Sequence, residues 1–117
     1  MKFESYKQEV ITAETSINGV SLNHKTKTIR VLGENYRLSP IEYEILNKLM
    51  SHPGRIFSRE ELMDAVATSY VVNDRTIDSH IKRIRSKIFS SDEEAGKTFI
   101  KTRNGIGYSI PDLRKKD

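Results

Sequence analysis

The run Asp74-Arg75-Thr76-Ile77-Asp78-Ser79-His80-Ile81-Lys82-Arg83-Ile84-Arg85-Ser86-Lys87-Ile88 decides how this chain folds. Isoleucine stands at 77, 81, 84 and 88, a spacing of i, i+4, i+7 and i+11 that makes one apolar stripe on an α-helix. Asn73 and Asp74, just ahead, are good helix caps. At about 100° per residue, with the stripe against a core, the opposite face holds Arg75, Ser79, Lys82, Arg83 and Ser86. Thr76, His80 and Lys87 lie on one flank and Asp78 and Arg85 on the other. Residues 75–91 carry five Lys/Arg and one acid, so the outward face is cationic and rich in hydrogen-bond donors.

Upstream, Ser58-Arg59-Glu60-Glu61 reads as a capping box opening a shorter helix with Leu62, Met63 and Val66 on its apolar edge. Ala67–Asn73 is then a loop. Ser39-Pro40-Ile41-Glu42 opens another helix, with an N-cap serine, proline at the first position and a glutamate able to close the box. Its apolar residues, Ile41, Tyr43, Ile45, Leu46, Leu49 and Met50, are too widely spread for one stripe, which predicts cover on more than one side. It ends in the breakers of Ser51-His52-Pro53-Gly54. Further upstream, Val20–Leu22, Thr28–Val31 and Tyr36–Leu38 read as short strands separated by turns at Asn23–Thr26 and Gly33–Asn35, a small antiparallel sheet.

Downstream, Ser90–Lys97 is a polar stretch. Phe99–Arg103 and Ile106–Ile110 read as strands joined by a two-residue Asn104-Gly105 turn. The expected order is therefore sheet, three helices and hairpin, an α+β domain. Residues 1–15 are expected to be a linker or flexible start, 16–110 the domain, and 111–117 a charged tail.

Composition narrows the function. The 117 residues suit a single domain, and 36% apolar with 31% charged describes a globular chain with a heavily charged surface. No run of 18 apolar residues crosses a membrane, and the first residues lack the apolar stretch of a secretory signal. The absence of cysteine excludes disulfides, thiol catalysis and cysteine-ligated zinc, and fits a cytoplasmic location. The net charge of +4 is confined to residues 74–117, where eleven Lys/Arg face seven acids; residues 1–73 balance at nine of each. A cationic surface in one region is what a polyanion partner requires.

The basic helix suits the DNA major groove, which admits one α-helix. Arginine's planar fork matches guanine O6 and N7, and lysine and hydroxyls suit phosphates. The hairpin, with Lys101 and Arg103 near its tip, is a natural second probe for the adjacent minor groove or backbone. The alternative is a protein-interaction module using the same basic face for an acidic partner; the density of Arg, Lys, Ser and Thr there, with few aromatics, favours nucleic acid. RNA binding usually wants stacking aromatics on an exposed sheet, and the aromatics here read as structural. An enzyme is not expected: no nucleophile–base set, metal cluster or glycine-rich phosphate loop is present.

Four blocks carry a family resemblance: Leu38–Leu46, His52–Leu62, Asp74–Ile88 and Gly105-Ile106-Gly107-Tyr108. In order and spacing they resemble the C-terminal effector domain of OmpR/PhoB-family response regulators, over residues 16–110. The resemblance implies a winged helix-turn-helix and a two-component transcriptional regulator binding double-stranded promoter DNA. It implies Arg75, Thr76, His80, Lys82, Arg83 and Arg85 as recognition-helix contacts and Thr102 and Arg103 on the wing. It further implies head-to-tail homodimers on direct repeats. The loop Thr68-Ser69-Tyr70-Val71-Val72-Asn73 is implied as the surface offered to RNA polymerase. The receiver domain that a sensor kinase would address has no counterpart, so a piece of a longer regulator is expected, with residues 1–15 its interdomain linker. Two departures stand out. Val66-Ala67 replaces the frequent Val-Trp, and Asn104 holds the place of an arginine before the first wing glycine, with Arg103 beside it on the other face of the strand.

The remaining residues have plainer readings. His24, His52 and His80 lack ligand spacing, so no metal or cofactor is expected. For His80 the residues alone leave a DNA contact and a half-buried packing role open. Tyr43 and Tyr108 read as core or semi-core aromatics, Glu42 and Glu61 as capping residues, and Asp78 and Lys82, at i, i+4, as able to form a local ion pair.

Overall fold

The computed structural model describes the backbone of residues 13–66 and 74–113 and the side chains of 13–66 and 77–113. Four strands open the chain, β1 (Glu14–Ile17), β2 (Val20–Asn23), β3 (Thr28–Val31) and β4 (Glu34–Arg37), paired antiparallel in the order β1-β2-β3-β4. Three helices follow, α1 (Pro40–Ser51), α2 (Arg59–Val66) and α3 (Asp74–Ser91), then a short α4 (Glu93–Thr98). The chain closes with a hairpin of β5 (Lys101–Arg103) and β6 (Gly107–Ser109).

The sheet has one strand more than the sequence reading expected, and β1 begins inside the segment expected to be linker. Its signal was Asn18-Gly19 between Ile17 and Val20. Both central residues take positive φ, 50° and 86°, and Ile17 pairs with Val20, the tight primed turn that suits a hairpin. Leu32 and Gly33 repeat this geometry at φ 51° and 83°, with Val31 opposite Glu34, so the second turn lies one residue earlier than expected. Period-two alternation buries Val20, Leu22, Ile29 and Val31 on one face.

Both capping boxes form. Ser39 Oγ accepts from the Glu42 amide at 3.2 Å while Glu42 Oε1 accepts from the Ser39 amide at 2.9 Å. Ser58 and Glu61 do the same at 3.1 and 2.9 Å. α1 is indeed covered broadly, burying Tyr43, Ile45, Leu46, Leu49 and Met50. The stripe of α3 lies at the centre of the same core: Ile77, Ile84 and Ile88 are 0% exposed and Ile81 1%. Each such burial is worth about 1.5–3 kcal/mol.

α4 is a helix the sequence order did not include, lying largely within the polar stretch Ser90–Lys97. Asp92 caps it by accepting from the Ala95 amide at 3.1 Å, and Glu93 and Glu94 occupy its first turn. It folds back on α3 so closely that a Cβ at Gly96 would lie 2.5 Å from the Phe89 Cα. The wing turn also differs. Arg103 pairs with Gly107, leaving three residues in the loop, and the Ile106 amide bonds to the Arg103 carbonyl at 2.8 Å. Gly105 at φ 76° supplies the third position of this turn. Phe57 exchanges two backbone hydrogen bonds with Tyr108, at 2.8 and 2.9 Å, and a Cβ at Gly107 would sit 1.9 Å from the Phe57 carbonyl oxygen. Glycine at 107 is thus what lets the wing base join the α1–α2 loop.

Candidate nucleic-acid interface

With its isoleucines buried, α3 turns Ser79, Lys82, Arg83 and Ser86 to solvent, and all four are exposed. Lys82 and Arg83 make no hydrogen bond or ion pair among the described residues. They are free cations at the front of the helix. Lys101, Thr102 and Arg103 on β5 and Asn104, Gly105 and Ile106 at the wing tip are exposed as well. Alternation along β5 sends Lys101 and Arg103 to one face and Thr102 to the other, opposite Tyr108.

Other polar residues of α3 are committed to the protein itself. Lys87 Nζ donates to Glu42 Oε1 at 2.5 Å and to the Arg37 carbonyl at 3.0 Å. Glu42 is 3% exposed, so the capping carboxylate is also the buried half of an ion pair. His80 packs beside it, 12% exposed, with Nδ1 4.0 Å from Glu42 Oε2 and no hydrogen-bond partner among the described residues. Burial, with Arg83 and Lys87 nearby, pulls the imidazole below its ordinary pKa against the opposing pull of Glu42. The structure thus places His80 in the half-buried position beside Glu42.

Asp78 does not form the pair with Lys82 that the i, i+4 spacing allows. Its Oδ1 accepts from Arg59 Nε at 2.8 Å and from the Tyr108 hydroxyl at 2.6 Å. Burial pushes the carboxyl up, but these two donors outweigh it and hold it below the usual aspartate range. Arg85, expected to contact DNA, instead folds onto the wing: one Nη2 donates to the Ile100 carbonyl and to Thr102 Oγ1, both at 2.7 Å. The reason is position. Asp78 and Arg85 share the flank that the hairpin covers, so the nearest acceptors and donors belong to the protein. The side chains of Arg75 and Thr76, and the loop Thr68–Asn73, lie outside the described residues.

Among the described residues no group of His, Asp or Glu could hold a metal ion, and no helix is long and apolar enough to cross a membrane. The cavity beneath the wing base, about 240 Å³ and lined by Asn18, Phe99 and Pro111 among others, is open and largely apolar.

Residues 33–110 match the family model described as "Transcriptional regulatory protein, C terminal". The chain is 46% identical over 77 residues to the transcriptional regulatory protein BaeR of Escherichia coli O6:H1, covering 65% of this chain and 31% of that protein. It is 35% identical over 106 residues to the phosphate regulon transcriptional regulatory protein PhoB of Rhizobium meliloti, covering 89% of this chain and 45% of the relative. This chain thus spans less than half of the length of these relatives, 31% of the one and 45% of the other. Among solved structures, the DNA-binding domain of CpxR from E. coli superposes with a TM-score of 0.69 at 27% identity, covering 85% of this chain and 96% of that domain.

Proposed function

We propose a DNA-reading role from a plain premise: this chain belongs to the family of transcriptional regulatory protein C-terminal domains. The chain binds double-stranded DNA sequence-specifically, as the effector domain of a two-component regulator of the OmpR/PhoB type. α3 enters the major groove and the wing meets the adjacent minor groove or backbone. The observation that carries this is the free front of α3: Lys82 and Arg83 stand unpaired among the described residues, flanked by the hydroxyls of Ser79 and Ser86, over a fully buried apolar back. Arginine and lysine released from internal partners are available for base edges and phosphates.

On this reading Arg83 is the leading base-reading candidate and Lys82 a phosphate contact. Arg75 and Thr76 extend the surface toward the helix start, and Lys101 and Arg103 reach the backbone from the wing. The partners follow the family: direct-repeat promoter DNA bound by a head-to-tail homodimer, RNA polymerase at Thr68–Asn73, and a receiver domain addressed by a sensor kinase, in the cytoplasm. Selection of bound sequences from a random duplex pool tests the proposal. Recovery of a recurrent motif, repeated at a spacing near one helical turn, is expected; a pool that stays random would overturn it.

A further inference from the structure

Asp78 and Arg85 are seven residues apart, two turns along one flank of α3, and both reach the hairpin. Tyr108 Oη donates to Asp78 Oδ1 at 2.6 Å, and Arg85 donates to Thr102 Oγ1 at 2.7 Å. Thr102 and Tyr108 are partners across the two wing strands, so each strand is held by a different turn of the same helix. Arg59 from α2 completes the clasp: its Nε bonds to the same Asp78 oxygen at 2.8 Å, and its guanidinium lies 5.6 Å from the Tyr108 ring. The Arg85 guanidinium lies 5.7 Å from that ring. A two-stranded ribbon is marginal by itself, and residues 101–106 are all exposed. The orientation of the wing must therefore come from contacts at its base.

We propose that Asp78 and Arg85 are positioning residues that lock the wing to α3 at one angle, so that helix and hairpin engage DNA as a single rigid two-pronged probe. The inference rests on the DNA-reading role above. It reassigns Arg85 from contacting DNA to aiming the part that does. It also gives Tyr108, which is 5% exposed and uncharged at neutral pH, an effect on electrostatic binding. If the wing is misaimed, its cations miss their phosphates and fewer counterions are released.

The test measures affinity for a selected duplex by fluorescence anisotropy across a salt series, for the unchanged chain, Tyr108→Phe, Arg103→Ala and the double variant. Tyr108→Phe removes only the hydroxyl. It is expected to weaken binding about tenfold and to make the salt slope shallower by about one, as Arg103→Ala does. In the double variant Arg103→Ala should then add less than about twofold, because the two changes act through one contact. A merely structural role would lower the melting temperature and leave the slope alone. Should Tyr108→Phe melt below the assay temperature, Thr102→Val carries the same expectation, and Thr102→Ser, which restores the acceptor for Arg85, should recover the slope. An unchanged slope with additive effects overturns the clasp while leaving the DNA-reading role intact. A parent chain without sequence preference overturns both.

Discussion

At the residue scale, the same side-chain chemistry is put to two uses on one helix. Lys82 and Lys87 are identical residues five positions apart; the first is exposed and the second is drawn 2.5 Å from a carboxylate that is 3% exposed. A buried carboxylate left without its cation is costly, so Lys87 belongs to stability and Lys82 to the surface. Arg83→Ala removes a free cation and no hydrogen bond or ion pair among the described residues. It should weaken specific binding by about 1–3 kcal/mol with an unchanged melting curve; equal affinity in an anisotropy titration would remove Arg83 from the interface. His80 makes a pH prediction. Its folded-state pKa lies below the ordinary imidazole value because of burial first and the neighbouring Arg83 and Lys87 next. The unfolded chain therefore takes up the proton first as pH drops through about 6.5. Stability present above that value is lost toward the lower folded-state pKa. Thermal melts from pH 8 down to 5 should show this loss, and His80→Gln should flatten it across that window. Asp78, also depressed, adds a separate loss only below about pH 4.

At the element scale, α3 is the piece on which everything turns. Ile84 is 0% exposed at the middle of the stripe. Ile84→Asp would bury an unpaired charge, and the domain should fail to fold, seen as loss of the cooperative melt; a native melt would mean the stripe is not core. The helices with periodic apolar residues and serine caps were legible because each signal is local. β1 and α4 were not read, for opposite reasons. β1 carried a turn signal as strong as that of the wing, Asn18-Gly19, but its own four residues are mostly polar and half-exposed. α4 has a cap and an acidic first turn but no apolar stripe, and it is held by close packing of Gly96 on Phe89, a contact that forms only because the chain breaks at Asp92 and folds α4 back on α3.

At the scale of the whole molecule, the cationic excess lies in residues 74–117 while residues 1–73 balance. The fold joins α3 and the wing, both within that segment, through Asp78 to Tyr108 and Arg85 to Thr102. If Lys82, Lys101 and Arg103 each neutralise one phosphate, the log–log salt slope of binding should be about −3. Titrations between roughly 50 and 200 mM salt check this. A flat response would point to an acidic protein partner instead of DNA.

The amino-acid order alone determined the basic-fronted helix, the two serine-capped helices before it and the hairpin after it, because periodicity, caps and turns act within a few residues. Which cations are free was decided only in three dimensions. Arg83 and Arg85 are indistinguishable by type and sit on the same helix, yet one faces solvent and the other the wing. That difference depends on where residues 100 and 102 arrive, and chain-distant neighbours are set by packing, not by local spacing.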